Sequence, residues 1–322
     1  MSKIAIVGSG AMGSVYAGLM ADVGHEVFAV TLWEDHAEAM AKSGIRVEGA
    51  SGDRIARVTA STTTDGIGVV DLVIIATKSH DVEAAAHSAL GLVGASTVVQ
   101  TIQNGLGSPE RVAPILGADR LVVGVVGGFG ASVLAPGHVH HNGMEMVRFG
   151  AFDGVPTEQL EAAADIWRSA GFEVSLFDDI RQMVWDKLVM NVAFSASTCL
   201  TGFTIGEVIA SPDAWSIAHA CSEEAVLIAE ALGIELSVDD PIAHVLALGS
   251  KIPNARPSML LDHLARRRSE VDVINGAIPR AAESVGLKAP VNATVTALVK
   301  AREIGFGDEP LLAPVFERVL PR

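Results

Sequence analysis

The sequence predicts an α/β protein in which a parallel sheet flanked by helices is followed by an all-helical half. In the first half, short apolar runs alternate with amphipathic stretches, which is the βαβ rhythm of a parallel sheet. Beyond residue 178, long Ala-, Leu- and Val-rich helical patterns take over, with hardly any strand-like alternation. We therefore expect one domain over residues 1–178 and a second over residues 179–322.

The strands of the first half are predicted from short apolar runs rich in β-branched residues. Five of these runs should form the parallel sheet: Lys3–Gly8, Glu26–Thr31, Asp71–Ala76, Ser96–Thr101 and Leu121–Val126. Helical periodicity lies between them at Ala11–Val23, His80–Leu90 and Pro109–Leu116. Ile45–Val58 is less regular and predicts a hairpin insertion. Ala131–Gly150 predicts antiparallel strands that close the edge of the sheet, and Phe172–Phe177 predicts a last strand.

Six helices are predicted in the second half from their 3.6-residue apolar period. They cover Ile180–Cys199, Ser211–Leu232, Pro241–Leu248, Pro257–Arg268, Ser269–Val285 and Pro290–Ile304. Pro257 suits a first helical turn, and the pair Ser269 and Asp272 has the spacing of a capping box.

Composition and charge narrow the function classes. The chain has 322 residues, of which 49% are apolar, so it can bury the cores of two domains. Thirty-eight acidic residues against 23 basic ones give a net charge of −15, which repels nucleic acids, and the only dense basic run is Arg266–Arg268. No apolar run is long enough for a membrane span, and the two cysteines make no disulfide framework. The first residues lead straight into a predicted strand, without the pattern of a secretory signal peptide. A cytoplasmic protein without nucleic-acid or membrane partners is the expectation.

A glycine-rich turn follows the first predicted strand and opens the first predicted helix. Gly8-Ser9-Gly10-Ala11-Met12-Gly13 fits the pattern G-x-G-x-x-G. The first glycine permits a tight turn, the second lets backbone amides approach a pyrophosphate, and the third allows close packing of helix and strand. The positive end of the helix dipole adds attraction for phosphate. The motif in this position predicts a Rossmann-type dinucleotide-binding domain.

The residues after the second predicted strand bear on the choice between NAD and NADP. Glu34 or Asp35 stands where an acid can bond the adenine ribose of NAD and repel the 2′-phosphate of NADP. The alternative is that both acids simply begin the next helix, where they favour its dipole. No Lys or Arg lies between Val30 and Ala41, which favours NAD, although Lys42 and Arg46 remain within reach.

Several separated motifs together resemble one family, the ketopantoate reductases (2-dehydropantoate 2-reductases). Besides the glycine turn, they are Ala76-Thr77-Lys78, Gln103-Asn104-Gly105, Pro136-Gly137-His138-Val139, Trp185-Asp186-Lys187-Leu188-x-x-Asn191, Pro257-Ser258-Met259-Leu260 and Arg266-Arg267-Arg268-Ser269-Glu270-Val271-Asp272-x-x-Asn275-Gly276. They follow in the family's order over nearly the whole chain. The resemblance implies a Rossmann domain, an all-helical domain and an active site in the cleft between them, acting on a small 2-keto or 2-hydroxy acid.

Lys187 is the residue to which the resemblance assigns the proton transfer. It matches the family's general-acid lysine, and an ammonium can stabilise the alkoxide formed on reduction and then protonate it. Asn191 lies one helical turn further on the same face, where its amide can orient Lys187 or bind substrate. The apolar residues around Lys187 argue against an ordinary solvated lysine.

Four further residues receive roles from the resemblance. Glu270 and Ser258 match the family's substrate-binding acid and hydroxyl, and we group Glu270 with Lys187 as catalytic. Asn104 lies near nicotinamide and substrate in the family, although Asn104-Gly105 is also good turn chemistry. Lys78 matches the lysine beside the cofactor.

The chain also departs from the family at the substrate site and at the cofactor site. Ser195, which we assign to substrate binding, stands where a second asparagine is often found in the family. Ile205, in Thr204-Ile205-Gly206-Glu207, replaces a substrate-binding amide. The basic residue that usually follows the second strand in the family and selects NADP is absent. Three functions follow as hypotheses: an NAD(P)H-dependent reductase of ketopantoate or a close 2-keto acid, an NAD-dependent dehydrogenase of another hydroxy acid, and a dinucleotide sensor without turnover.

Two other groups of residues receive structural interpretations. His138, His140 and His141 alternate between the faces of a predicted strand, so we expect no metal site there. The four tryptophans, Trp33 among them, are expected in the core or at an interface. The helical half allows a homodimer that buries apolar surface against a second copy.

Overall fold

A computed structural model describes residues 1–128, 130–143 and 146–306 of the chain. The chain divides into two compact units, residues 1–183 and residues 184–322. The first unit holds the sheets and the second is helical.

The first unit contains a doubly wound sheet of eight strands. In chain order the strands of this unit are β1 (Lys3–Val7), β2 (Glu26–Val30), β3 (Ile45–Gly49), β4 (Arg54–Ala56), β5 (Thr59–Ser61), β6 (Leu72–Ile75), β7 (Val98–Thr101), β8 (Leu121–Val126), β9 (Ala131–Ala135), β10 (His138–His141), β11 (Val147–Ala151) and β12 (Val174–Leu176). The order in the sheet is β12-β11-β8-β7-β6-β1-β2-β5. The six strands from β8 to β5 are parallel, β11 runs antiparallel to β8, and β12 runs parallel to β11.

Five α-helices accompany these strands. They are α1 (Ala11–Asp22), α2 (Glu34–Ser43), α3 (Val82–Ser88), α4 (Ser108–Leu116) and α5 (Thr157–Ser169). The predicted crossover helices are present, and their apolar faces pack with the buried side chains of the sheet into one core on each side. The sequence analysis left α5 and the short strand β5 unassigned. Trp167 on α5 is fully buried among Tyr16, Phe149 and Phe172, so tertiary packing fixes this helix.

A second, four-stranded sheet corrects the prediction for Ala131–Gly150. The hairpin expected in Ile45–Val58 is present as β3 and β4, but it joins β9 and β10 in the order β4-β3-β10-β9. Of the segment predicted to close the large sheet, only β11 pairs with that sheet, and β12 forms its edge. Residues 144 and 145 of the segment lie outside the described ranges.

The second sheet packs against α1, a helix that is buried on both sides. Residues 13–20 of this helix are all buried, so it has no polar face to turn to water. Small residues let the strands approach closely: a Cβ on Gly18 would lie 2.5 Å from Cγ2 of Val47 on β3. Strands β9 and β10 therefore pack over α1 instead of extending the large sheet.

Seven helices make up the rest of the described chain. They are α6 (Ile180–Thr201), α7 (Ile205–Ala210), α8 (Pro212–Ala231), α9 (Pro241–Lys251), α10 (Ser258–Leu264), α11 (Ala277–Ser284) and α12 (Pro290–Glu303). The all-helical prediction for this half is correct, and α7 is additional. Thr204 and Glu207 form a capping box around the start of α7, a signal that is legible in the sequence. Through the described residues no helix is both long and apolar enough to cross a membrane.

Two helix boundaries were wrong. The helix predicted over Pro257–Arg268 ends at Leu264, and the one predicted over Ser269–Val285 begins only at Ala277. Ser269 caps no helix: its backbone N–H and its hydroxyl both donate to Oε1 of Glu303, at 2.8 and 2.5 Å. The carboxylate of Glu303, 34 residues away, therefore accepts the hydrogen bonds of Ser269, which the predicted capping box had placed at a local helix start.

Candidate functional site

The glycine turn joins β1 to α1 and is bonded to the end of β2. The N–H groups of Gly8 and Ser9 both donate to the carbonyl oxygen of Val30, at 2.9 and 2.8 Å. Gly8 has φ +103°, and a Cβ there would lie 2.4 Å from the backbone nitrogen of Thr77. A Cβ on Gly13 would lie 2.4 Å from the carbonyl oxygen of Gly8. The first and third glycines therefore allow contacts that no other residue permits.

Gly10 differs from its two partners because it faces open space. A Cβ on Gly10 would meet no atom within 4 Å, and the residue is exposed. It is also the N-cap of α1, and with no side chain it cannot accept a bond from the first helical N–H groups, at Ala11, Met12 and Gly13. Amides at a helix start beside open room fit a pyrophosphate group. The turn therefore has open room and helix N–H groups at the place where we expect the dinucleotide.

Lys78 and Asn104 lie at the carboxyl ends of the neighbouring strands β6 and β7. Gln103, next to Asn104, donates from Nε2 to the carbonyl oxygens of Ile75 (2.7 Å) and Thr77 (3.1 Å). The segments that carry Lys78 and Asn104 are therefore bonded together at the edge where open α/β sheets bind ligands. Lys78 and Asn104 are both half-buried. No sequence signal gives Gln103 a role, and only its bonds to Ile75 and Thr77 reveal one.

Glu34 and Asp35 form the exposed first turn of α2. Both interpretations of these acids remain compatible with this position, since a helix start at the end of β2 is also where a ribose would lie. Arg46, a base that remained within reach of this site, lies on β3 and makes two hydrogen bonds to Asp53, at 3.0 and 2.8 Å. Its guanidinium is thus engaged in the β3–β4 hairpin.

Lys187, Asn191 and Ser195 follow one another at four-residue spacing along α6. Lys187 and Asn191 are half-buried, whereas Ser195 is 4% exposed. The apolar neighbours predicted to surround Lys187 all belong to the core: Trp185, Leu188, Val189 and Val192. Lys187 therefore stands at the edge of this core.

The segment that carries Glu270 is anchored at both ends within the second unit. On one side Ser269 is bonded to Glu303. On the other side Asn275 donates from Nδ2 to the carbonyl oxygen of Val192 on α6, at 2.9 Å. Glu270 itself is 6% exposed. The segment that carries the buried Glu270 is thus tied to α6 through Asn275.

Glu303 is a buried carboxylate that the sequence analysis missed. Its side chain is 9% exposed, and Oε1 also bonds Nε2 of His263, whose side chain is 1% exposed, at 3.1 Å. Burial alone raises the pKa of Glu303, but the bonds from His263 and Ser269 outweigh it and bring the pKa below its ordinary value. A lone glutamate near a helix end gives no sequence signal for such a role.

We expect Glu303→Gln to lower the free energy of unfolding at pH 7 by about 1–3 kcal/mol, because the charge-assisted bonds to Ser269 and His263 weaken. Since the pKa of Glu303 is lowered by folding, its stabilisation is present above the ordinary value of 4.5 and is lost as pH falls below it. Urea unfolding of both proteins at pH 7 and pH 3.5 should therefore show a gap that narrows in acid. Glu283→Gln, at an exposed position on α11, is the control, and an equal loss of stability in it would contradict the assignment.

The remaining predicted residues have more ordinary surroundings. Ser258 is the exposed first residue of α10. Ile205, expected in place of a substrate-binding amide, is 3% exposed and packs in the core as the first residue of α7. On β10, His138 and His140 lie on one side and His141 is buried on the other. Glu48 of β3 bonds His138 at 2.9 Å, an acid partner that the sequence did not reveal, and the described residues contain no cluster that could hold a metal.

Family models cover most of the chain. The model described as ketopantoate reductase PanE/ApbA matches residues 4–154, and the model of its C-terminal domain matches residues 179–303. The chain is 31% identical over 306 residues to 2-dehydropantoate 2-reductase of Archaeoglobus fulgidus, covering 95% of this chain and 99% of the relative. It is also 31% identical over 308 residues to the protein of that name from Pyrococcus horikoshii, covering 95% and 100%.

Solved structures agree in fold over nearly their whole length. The PanE/ApbA family ketopantoate reductase of Ralstonia eutropha superimposes with a TM-score of 0.87 at 29% identity, covering 95% of this chain and 100% of that one. A D-mandelate dehydrogenase in complex with NADH gives 0.84 at 25% identity, covering 94% and 99%. The motifs, the two-unit fold and the family models thus agree: the chain belongs to the ketopantoate reductase family.

Proposed function

We propose that this NAD(P)-dependent oxidoreductase of the ketopantoate reductase family reduces 2-dehydropantoate, or a close 2-keto acid, to the 2-hydroxy acid. The main support is the arrangement on α6, where Lys187 and Asn191 stand half-buried at the edge of a core, with the segment of Glu270 bonded to the same helix. A cation, an amide and a buried carboxylate are the groups needed to bind a keto acid and to protonate its oxygen.

The first unit supplies the cofactor residues in this proposal. The amides of the turn Gly8–Gly13 hold the pyrophosphate, Ser9, Ala11 and Met12 included, and Lys78 neutralises charge at the neighbouring strand end. Asn104 contacts the nicotinamide end. When bound, the reduced nicotinamide supplies the hydride that the carbonyl carbon accepts.

Lys187 acts as the general acid. As the carbonyl carbon gains a hydrogen and two electrons, its oxygen gains negative charge, which the ammonium stabilises by charge and hydrogen bonding. The ammonium then transfers one proton to that oxygen, which leaves a neutral amine that recovers a proton from water. Glu270 is the second catalytic residue: its carboxylate accepts a hydrogen bond from the substrate hydroxyl and holds the ammonium of Lys187 in place. Asn191, Ser195 and Ser258 bind the substrate, together with Asn104 at the nicotinamide end.

NAD is the proposed cofactor rather than NADP. Glu34 at the end of β2 accepts the ribose hydroxyls and repels a 2′-phosphate. The engagement of Arg46 by Asp53 supports this choice, because it removes one base that remained within reach of a 2′-phosphate.

A second candidate function is an NAD-dependent dehydrogenase acting on a different 2-hydroxy acid. Two points favour it. Ile205, which by the resemblance replaces a substrate-binding amide, lies in the core, and a structural neighbour is a D-mandelate dehydrogenase. Chemistry at Lys187 would be the same in reverse, with the amine accepting the hydroxyl proton.

A panel of 2-keto acids, assayed by oxidation of NADH and of NADPH, tests the proposal. We expect turnover of 2-dehydropantoate, with kcat/KM at least about tenfold higher for NADH than for NADPH because of the charge at Glu34. Glu34→Gln should narrow that ratio. A higher kcat/KM for an aromatic or larger keto acid would favour the second candidate. Tight binding of NADH without turnover of any keto acid would contradict both and leave the sensor hypothesis.

A further inference from the structure

Trp33 is an exposed aromatic residue at the edge of the sheet that carries the glycine turn. Of the two places expected for it from the sequence, the core is excluded, because Trp33 is 44% exposed. It lies between the end of β2 and Glu34, as the N-cap residue of α2. The carbonyl oxygen of Val30, three residues earlier, accepts the two N–H groups of the glycine turn. Trp33 therefore lies within about 11 Å of extended chain from the atoms that hold the turn.

The indole of Trp33 is stacked on a fully buried histidine. The rings of Trp33 and His36 have centroids 5.0 Å apart and planes 13° apart. His36 is 0% exposed, and burial lowers its pKa. His36 thus covers one face of the indole, and Trp33 is still 44% exposed.

Hydrogen bonds fix His36 to the glycine turn. Nδ1 of His36 accepts from the backbone N–H of Gly137, at 2.9 Å, so the ring proton is on Nε2. Nε2 lies 2.9 Å from Oγ of Ser14, and that hydroxyl donates in turn to the carbonyl oxygen of Ser9, at 3.3 Å. The orientation of the Trp33–His36 pair is thus set by the same turn that is proposed to hold the pyrophosphate.

We propose that Trp33, backed by His36, forms the surface on which the adenine ring of the dinucleotide stacks. This inference rests on the proposed binding of a dinucleotide at the glycine turn. Glu34, the next residue, is the proposed ligand of the adenine ribose, and the base is attached to that ribose. Stacking of a base on an aromatic side chain needs no charge, and it contributes affinity for either dinucleotide.

Binding and turnover measurements on Trp33→Ala test this role. We expect the Kd of NADH, and that of 5′-AMP as a probe of the adenosine half alone, to rise by roughly 10–100-fold. Trp33→Phe should restore most of the affinity, because it keeps an aromatic face. Turnover with reduced nicotinamide mononucleotide, which lacks the adenosine half, should be the same in Trp33→Ala and in the parent protein.

Two controls separate this inference from the proposed function. Leu32→Ala removes a neighbouring side chain that is 89% exposed, and it should leave the Kd of NADH unchanged. In the unmutated protein, 5′-AMP should quench the part of the tryptophan emission that Trp33→Phe removes. If Trp33→Ala binds NADH and 5′-AMP as tightly as the parent protein, the stacking role is wrong while the proposed function stands. If the parent protein binds neither NADH nor NADPH, the proposed function itself fails.

Discussion

Lys187→Ala is expected to lower kcat by about 10²–10⁴-fold while leaving the Kd of NADH nearly unchanged. The loss has this size because a positioned general acid contributes that factor to proton transfer. Cofactor affinity should persist because the glycine turn, which belongs to the other compact unit, is untouched. Steady-state kinetics and titration of NADH binding measure the two quantities separately.

Lys187→Arg and Lys251→Ala sharpen this test. Arginine keeps the positive charge but gives up a proton far less readily, so we expect it to restore substrate affinity more than kcat. Lys251 is exposed at the end of α9, and its replacement should leave both quantities unchanged. Parent-like turnover in Lys187→Ala would remove Lys187 from the chemistry.

The three glycines of the turn should respond to alanine in different ways. At Gly8 we expect a loss of about 2–5 kcal/mol in the free energy of unfolding, from a left-handed backbone and from overlap with the backbone of Thr77. At Gly13 the overlap with the carbonyl of Gly8 alone should cost about 1–3 kcal/mol. Gly10→Ala should change stability by less than about 0.5 kcal/mol, because a Cβ there meets no atom.

Cofactor affinity separates Gly10 from an ordinary exposed glycine. A methyl group on Gly10 occupies the room that a pyrophosphate needs, so we expect the Kd of NADH to rise by about tenfold or more in a fully stable protein. Gly24→Ala is the control for Gly8→Ala: Gly24 has φ +94° with no atom near its Cβ position, so it reports the cost of a left-handed backbone without overlap. Thermal unfolding and NADH titration of Gly8→Ala, Gly10→Ala, Gly13→Ala and Gly24→Ala measure stability and cofactor affinity for each variant. Unchanged affinity in Gly10→Ala would remove the turn from the cofactor site.

Local signals in the sequence were enough for the β1–α1–β2 unit and for most helices of the second half. An apolar run, a glycine turn and a helical period lie next to one another in the chain, and their bonds close over a few residues. The capping box of α7 was equally legible in Thr204 and Glu207, although it was interpreted only as a family turn. Helix α7 was therefore missed although its start is marked by a local pattern in the sequence.

Contacts between distant residues decided the rest. The helix predicted from Ser269 begins eight residues later because Glu303 takes the donors of Ser269. Strands β9 and β10 leave the large sheet because α1 is apolar all round and needs a second cover. The ring on which Trp33 stacks is fixed by the buried bonds of His36 to Ser14 and Gly137, and Gly137 is 101 residues from His36.

The sequence by itself determined the five central parallel strands, most of the helices, the glycine turn, the all-helical second half and the family. These features depend on residue types and spacings within short windows, where backbone geometry links pattern to structure directly. Only the tertiary structure decided the second sheet, the tie between the segment of Glu270 and α6, and the Trp33–His36 stack. Each of these depends on hydrogen bonds or packing between residues far apart in the chain, and no local pattern specifies which distant partner a side chain will meet.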